Sequence, residues 1–445
     1  MAKASWKLLL MLCIILCCKG DNLKSKRSSE SHVYKESIPQ LSIRNDLVKR
    51  ERIGQDHVHE VMFVVRQKNM DELTRVLHDL SDPFSPNYGQ HWTSEEVANL
   101  TTNPEARDFT VSYIKSRGAS VVSESLYGEH ITAEAPIQVW EKMFNTQFFV
   151  FDQRHQDKHI YKSIRAEHYW IPRELDVHVE SVLKTIDLPD RPYRSPMKDL
   201  PVIRKDTNLR STKFTLSDWT KPGDFSDYNT PRQIRAYYNM SFRKTGSAKS
   251  TQAVMGTNGI HFSPIDLKKF QTRLIPMGMM PVTADIGGRA NDSVCKIQYN
   301  YCSEGNLDLQ CIMGASPKSP TTFWYSDGWF DGFLSEVANS ANPPKVISMS
   351  YGTLEPFVAS SFHDSFTTWA IKLGTMGTTI VGSSGDAGAV WYDVCGYYPQ
   401  FPSSSPYVTT VGATTVSKLL LFFSFEYMPL FCTYMINLIF YIYYD

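Results

Sequence analysis

At 445 residues the chain has room for two or three domains and a large hydrophobic core. Lys and Arg together number 46, as do Asp and Glu, so the composition excludes binding to nucleic acid or acidic membranes through bulk charge. Aromatic residues make up 13% of the chain, which argues against a largely disordered protein.

Residues 1–20 have the pattern of a secretory signal peptide. Lys3 and Lys7 precede an apolar stretch over 8–18 that is short for a membrane span, and cleavage is predicted near Gly20. A signal anchor is the alternative interpretation. We therefore expect entry into the secretory pathway, with the lysosome or the extracellular space as the destination.

Three Asn-x-Ser/Thr sequons, at Asn99, Asn239 and Asn291, fit that route and predict glycosylation. The oxidising compartment also bears on the cysteines. Two of Cys295, Cys302 and Cys311 can pair locally, but the sequence does not decide which two. Cys395 and Cys432 stand apart. No cysteine or histidine spacing predicts a zinc site, and no metal ligands are assigned.

A polar, charged segment over 21–55 predicts a flexible leader, and a first domain follows over 56–188. Strands are predicted over 61–65, 119–125, 130–134 and 147–151, and helices after Asn69, after the Thr93–Glu96 capping box, after Asn103-Pro104 and over 136–144. Apart from one extra helix this is a β-α-β-β-α-β order, which predicts a ferredoxin-like α+β domain. Residues 189–228 are basic and lack periodicity, which predicts a linker that is either a protease-sensitive maturation site or an ordinary solvated loop.

A second domain is predicted over 229–417, where strands alternate with helices. Strands over 252–256, 345–352, 378–382 and 407–412, with helices starting near Ser263, Phe330 and Ser361, predict a parallel α/β sheet. Working residues of such sheets gather at the carboxyl ends of the strands.

Three carboxyl groups in this domain form the candidate site. Glu304 and Asp308 are four residues apart, which places both on one face of a helix, although Gly305 between them weakens a helix. Asp386 follows a predicted buried strand on a tight glycine turn. Coupled carboxyls can serve acid–base chemistry at low pH. Taken singly, the pair can equally be a solvated helix face, and the Asp386 segment an ordinary turn.

The chain resembles the sedolisins, or serine-carboxyl peptidases, the family of the lysosomal tripeptidyl-peptidase, over about residues 58–417. Six blocks in the family's order carry this resemblance: Asp82–Trp92, Tyr169–Leu175, Thr230–Asn239, Val346–Gly352, Ser384–Asp386 and Phe401–Gly412. The resemblance implies a subtilisin-like α/β catalytic domain, and a prodomain that covers the active site until it is cleaved.

The resemblance also implies a role for each carboxyl and a substrate class. Glu304 would be the general base for a serine, Asp308 would orient Glu304, and a protonated Asp386 would supply the oxyanion hole at acidic pH. The substrates would be peptides or proteins, with internal cleavage and release of tripeptides both open. A full-length member of the family would also bind calcium, but the ligands of that site are not present in this sequence.

The sequence departs from the family after Asp386. The Ser-Gly-Thr-Ser segment that carries the nucleophile is absent, and Ala387 replaces a common serine. Residues 418–445 form an aberrant apolar tail, which we interpret as a mispredicted or alternatively spliced end of a truncated catalytic domain. A membrane anchor over 419–444 is the alternative. We therefore expect a zymogen that is inactive as written, or else a non-enzymatic product that binds or inhibits an active relative.

Overall fold

The computed structural model describes residues 31–38, 47–154, 160–187, 230–241, 245–275, 278–327, 329–386 and 398–413. Within these residues an α+β domain comes first and an α/β domain follows, in the predicted order. The predicted signal peptide, the linker over 189–228 and the tail over 418–445 lie outside the described residues. Within the described part, no helix is both long and apolar enough to span a bilayer.

The first domain combines short antiparallel sheets with helices. Its strands are β1 (His32–Ser37), β2 (Leu47–Arg52), β3 (Val58–Val65), β4 (Ser120–Glu124), β5 (His130–Pro136), β6 (Phe148–Arg154), β7 (Ile160–Ala166), β8 (His168–Pro172) and β9 (Val179–Leu183). Its helices are α1 (Met70–Ser81), α2 (Ser94–Thr101), α3 (Pro104–Ser116), α4 (Ile137–Met143) and α5 (Arg173–Asp176). The sheets have the orders β4-β5-β3-β9, β2-β6-β7 and β1-β8.

Local capping chemistry explains where the helices of this domain begin. Thr93 and Glu96 form the predicted capping box at α2, and the Asn103 side chain accepts a hydrogen bond from the Ala106 amide at α3. Asn69 precedes α1 as predicted, but its side chain makes no capping hydrogen bond; its amide nitrogen donates to the Leu100 carbonyl at 2.9 Å.

Two predictions for the first domain are wrong. The segment over 21–55 is not simply a flexible leader, because β1 pairs with β8 and β2 pairs with β6. The predicted strand over 147–151 exists as β6, but it joins β2 and β7 in a separate sheet. The fourth strand of the main sheet is β9, which pairs with β3. The pairings β1 with β8, β2 with β6 and β3 with β9 join strands far apart in sequence, so local patterns could not identify them.

The second domain is built on a parallel sheet. Its strands are β10 (Gln252–Gly256), β11 (Val282–Ile286), β12 (Thr321–Tyr325), β13 (Val346–Met349), β14 (Thr353–Leu354), β15 (Thr379–Ser383), β16 (Gln400–Phe401) and β17 (Thr409–Val411). Its helices are α6 (Pro231–Tyr237), α7 (Pro264–Leu274), α8 (Asp292–Ile297), α9 (Ser303–Ala315), α10 (Trp329–Ala338) and α11 (Ser360–Thr375), with 3-10 turns at Tyr299–Tyr301 and Glu355–Phe357.

Six of these strands form one sheet of order β11-β12-β10-β13-β15-β17, and all five neighbouring pairs are parallel. This confirms the predicted parallel α/β sheet, although β11 and β12 were not predicted. From β10 the chain crosses to the edge strand β11 and returns through β12, whereas from β13 it moves outward to β15 and β17 on the other side. The order therefore reverses between β10 and β13, and this is the place where such sheets leave a crevice at their carboxyl edge.

The two domains share a hydrophobic core. Leu73 of α1 and Val97 of α2 belong to the same buried cluster as Phe330, Phe366 and Trp369 of the second domain. The first domain therefore packs on helices α10 and α11 of the parallel-sheet domain.

Candidate active site

The structure brings the three predicted carboxyl groups to the carboxyl edge of the parallel sheet. Glu304 and Asp308 lie on the first two turns of α9. Asp386 lies on the turn that follows β15. The negative charge of Asp386 contributes to the raised pKa of Glu304. Their catalytic roles stay predictions.

Gly305 allows α9 to sit deep in this edge. A β-carbon at Gly305 would lie 2.5 Å from the carbonyl oxygen of His261, which is a contact that no side chain tolerates. The glycine therefore permits a close approach between the helix and the loop after β10. The sequence predicted only that Gly305 weakens the helix, and this packing role was missed.

A disulfide bond precedes the first turn of α9. Cys295 and Cys302 are joined with an S–S distance of 2.03 Å, which settles the pairing that the sequence left open. Cys311 is free. Desolvation, followed by the charges of Asp308 and Glu304, raises the pKa of its thiol to about 11. The thiolate, which is the reactive form, is therefore suppressed.

The electrostatics of the carboxyl pair favour proton uptake. Desolvation, and then the charge of Asp386, raises the pKa of Glu304 from 4.5 to about 7. Desolvation and the charge of Glu304 also raise the pKa of Asp308 well above its usual range. Two carboxyls that share one desolvated place cannot both ionise easily, so the pair holds a proton at mildly acidic pH.

Two residues at the end of β13 join the site, although sequence reasoning did not single them out. The Ser350 hydroxyl donates to Asp308 Oδ1 at 2.7 Å. Burial, and then the charges of Asp308 and Glu304, raises the pKa of Tyr351 well above its ordinary value, so its hydroxyl stays neutral. The signal was a buried strand that ends in Ser350-Tyr351-Gly352, opposite the carboxyl pair in the crevice.

A tight turn presents Asp386. Gly385 has φ +83°, and a β-carbon there would overlap the Gln400 side chain. The Ser384 amide donates to the Val411 carbonyl at 3.0 Å, which fixes the start of the turn to β17. The turn therefore needs glycine at 385 to bring Asp386, an exposed residue, to the edge of the sheet.

Two further kinds of site concern metal ligands and the three sequons. In the described part of the chain, no group of three His, Cys, Asp or Glu side chains lies close enough to hold a metal ion. Asn99 and Asn239 are exposed, whereas the Asn291 side chain caps α8 by accepting from the Val294 amide. Glycosylation at the three sequons stays a prediction.

Substitution of Gly305 by alanine should lower the free energy of unfolding by about 1–3 kcal/mol, because the new methyl group meets a backbone oxygen. Alanine's better helix propensity, about 1 kcal/mol, would act in the opposite direction. The matched control is Gly332→Ala in α10, where a β-carbon meets nothing within 4 Å, so this change should be neutral or stabilising. Urea unfolding of both variants checks the prediction, and equal stability of the two would contradict it.

Residues 45–188 match the family model described as Pro-kumamolisin, activation domain, and the match includes β2. Tripeptidyl-peptidase 1 of Dictyostelium discoideum is 30% identical over 81% of this chain and 62% of its own length. Tripeptidyl-peptidase 1 of Macaca fascicularis is 28% identical over 80% of this chain and 61% of its own length. Physarolisin of Physarum polycephalum is 25% identical over 85% of this chain and 64% of its own length.

Among solved structures, Pseudomonas sedolisin, a serine-carboxyl proteinase complexed with two molecules of pseudo-iodotyrostatin, matches with a TM-score of 0.34. It is 24% identical, over 43% of this chain and 55% of that chain. The chain spans less than two thirds of the length of the curated relatives above. The activation domain and the relatives together make the chain similar to the sedolisins, or serine-carboxyl peptidases, and to tripeptidyl-peptidase 1 among them.

Proposed function

We propose that this chain is the zymogen form of a serine-type acid peptidase, and that its site carries the acid–base and oxyanion groups of that reaction. The observation behind the proposal is the placement of Glu304, Asp308 and Asp386 at the carboxyl edge of a parallel sheet, with the pKa of Glu304 raised to about 7. Peptides or proteins are the proposed substrates. The relatives named tripeptidyl-peptidase favour release of tripeptides over internal cleavage.

In this mechanism Glu304 removes the proton from a serine hydroxyl as that oxygen attacks the peptide carbonyl, and later returns the proton to the leaving amine. A raised pKa makes the ionised Glu304 a stronger base than an ordinary carboxylate. Asp308, one turn further along α9, holds Glu304 in place and takes part in sharing the proton. Asp386, protonated at low pH, donates a hydrogen bond to the oxyanion that forms on the carbonyl oxygen.

The proposed nucleophile is the serine of a Ser-Gly-Thr-Ser segment, which the 445 residues do not contain. We therefore expect this sequence by itself to lack hydrolytic activity. A longer product that carries the segment should cleave peptides at acidic pH, in the lysosome or outside the cell.

The alternative function is binding without catalysis, in which the chain associates with an active relative and inhibits it. The packing of the first domain on α10 and α11 favours this alternative. Leu73 and Val97 of the first domain lie in the hydrophobic core that the two domains share. A domain that covers these helices within its own chain has the complementary surface for the same helices of a relative.

The proposal also covers the fold of each domain. The main sheet of the first domain has strand order β4-β5-β3-β9 with antiparallel neighbours, which supports a ferredoxin-like class with two extra sheets. The parallel sheet of the second domain supports a subtilisin-like class.

The experiment has two arms. Sequencing the transcript across codons 416–421 establishes whether a product with the Ser-Gly-Thr-Ser segment exists, and both that product and the 445-residue chain are assayed on peptides at acidic pH. We expect turnover from the longer product only, with Glu304→Gln and Asp386→Asn each lowering kcat by about 100-fold or more. Asp266→Asn, a carboxyl of α7 that bonds Lys269, serves as the control and should leave kcat unchanged.

Two results would overturn the proposal. One is peptide cleavage by the 445-residue chain that Glu304→Gln abolishes, since the nucleophile would then lie within this sequence. The other is full activity of the longer product after Glu304→Gln, since another group would then be the base.

A further inference from the structure

We propose that Ser350 is a positioning residue for the carboxyl pair: its hydroxyl occupies Oδ1 of Asp308 and so leaves Oδ2 as the oxygen that shares a proton with Glu304. This inference rests on the proposed function of the same site, which it deepens. Through Ser350, the end of β13 would then take part in the acid–base step together with the carboxyl residues.

The contact joins two elements that are distant in sequence. Asp308 lies on the second turn of α9, whereas Ser350 is the first residue after β13, on the opposite side of the reversal point. The distance between Ser350 Oγ and Asp308 Oδ1 is 2.7 Å, as expected for a hydroxyl that donates to a carboxylate. A central strand of the sheet is a rigid support, so the hydroxyl is held where the strand ends.

The chemistry of the contact follows from what each group can donate. A carboxyl oxygen that accepts the Ser350 hydrogen is a poorer place for the shared proton than Oδ2, because the hydrogen bond uses one of its two lone pairs and lowers its basicity. The proton of the pair then resides on Asp308 Oδ2 or on Glu304. Asp308 can therefore orient Glu304 through a single defined hydrogen bond, rather than through two interchangeable oxygens.

The charge balance of Asp308 agrees with this role. Desolvation and the charge of Glu304 raise the pKa of Asp308, and the Ser350 hydrogen bond opposes both by favouring the ionised form. Without Ser350 the pair would keep its protons to a higher pH, because Asp308 would lose a hydrogen bond that favours its ionised form.

The test uses the 445-residue chain with ¹³C-labelled Asp and Glu carboxyls, titrated by NMR, with Glu304→Gln and Asp308→Asn to assign the two signals. Ser350→Ala should raise the apparent pKa of the pair by about one, since it removes one charge-assisted hydrogen bond. Ser350→Thr keeps the hydroxyl and should restore the titration. Ser348→Ala, on the same strand two residues earlier, should leave it unchanged and is the matched control.

The possible results separate this inference from the proposed function. If both carboxyls of the unmodified chain titrate near 4, the coupled pair itself is absent and the proposed function fails. If the pair titrates high but Ser350→Ala does not move it, only the role of Ser350 is overturned. A fluorophosphonate probe provides a second check, because covalent labelling of Ser350 would make it a nucleophile and would also overturn the positioning role.

Discussion

The free energy of unfolding of this chain should be lower at pH 8 than at pH 4.5, and Glu304→Gln should remove about 3 kcal/mol of that difference. The pKa of Glu304 is raised from 4.5 to about 7 by desolvation and by the charge of Asp386. The protonated form is therefore favoured in the folded protein. Its contribution to stability is fully present below pH 4.5 and is lost as the pH rises through 7.

Comparison of the variant with the unmodified chain is essential, because other groups titrate in the same range. Burial raises the pKa of Asp331, which acts in the same direction as Glu304, whereas burial lowers the pKa of His130, whose contribution is lost as the pH falls. The contributions of Asp331 and His130 to the free energy of unfolding cancel when the two proteins are compared at each pH. Urea unfolding at pH 4.5, 6 and 8 provides the measurement.

The control is Glu134→Gln, an exposed carboxyl on β5, which should leave the pH dependence unchanged. If the free energies of unfolding of Glu304→Gln and of the unmodified chain differ by the same amount at all three pH values, Glu304 is not desolvated in the folded protein. The close arrangement of the three carboxyl groups would then be wrong.

Local chemistry explains which parts of the fold could be predicted from the sequence. The start of α2 follows from the Thr93 and Glu96 side chains, which lie within three residues of each other. The parallel sheet follows from short apolar runs that alternate with helical patterns. Strand β1 could not be found in this way, because its polar sequence becomes a strand only by pairing with β8, more than 130 residues further along the chain.

The same distinction between local and long-range contacts applies to the candidate site. The spacing of Glu304 and Asp308 is a property of one helix, and Asp386 follows a recognisable buried strand. Ser350 lies 42 residues from Asp308, and only the fold brings its hydroxyl to that carboxyl. The packing role of Gly305 was missed for the same reason, since the contact is with the His261 backbone on another element.

Substitution of Lys372 by methionine should lower the free energy of unfolding by about 3–5 kcal/mol, which is the cost of leaving one member of a buried ion pair alone. Lys372 of α11 donates to Glu129 Oε1 at 2.9 Å and to Gln67 Oε1 at 3.0 Å, both in the first domain. The side chains of Lys372 and Glu129 are 3% and 4% exposed, so water cannot replace the lost ammonium group.

The double variant Lys372→Met/Glu129→Leu separates an uncompensated charge from a general packing defect. If the cost comes from an isolated Glu129 carboxylate, removal of that carboxylate should recover most of the lost stability, since buried ion pairs are often replaceable by apolar side chains. Lys345→Met, at an exposed lysine of the same domain, should change stability by no more than about 0.5 kcal/mol. Urea unfolding of the four proteins is the measurement.

Because the ion pair joins the two domains, recovery in the double variant would show that charge balance at this contact stabilises the docking of the activation domain. A double variant as unstable as the single one would instead show that the lysine acts through packing.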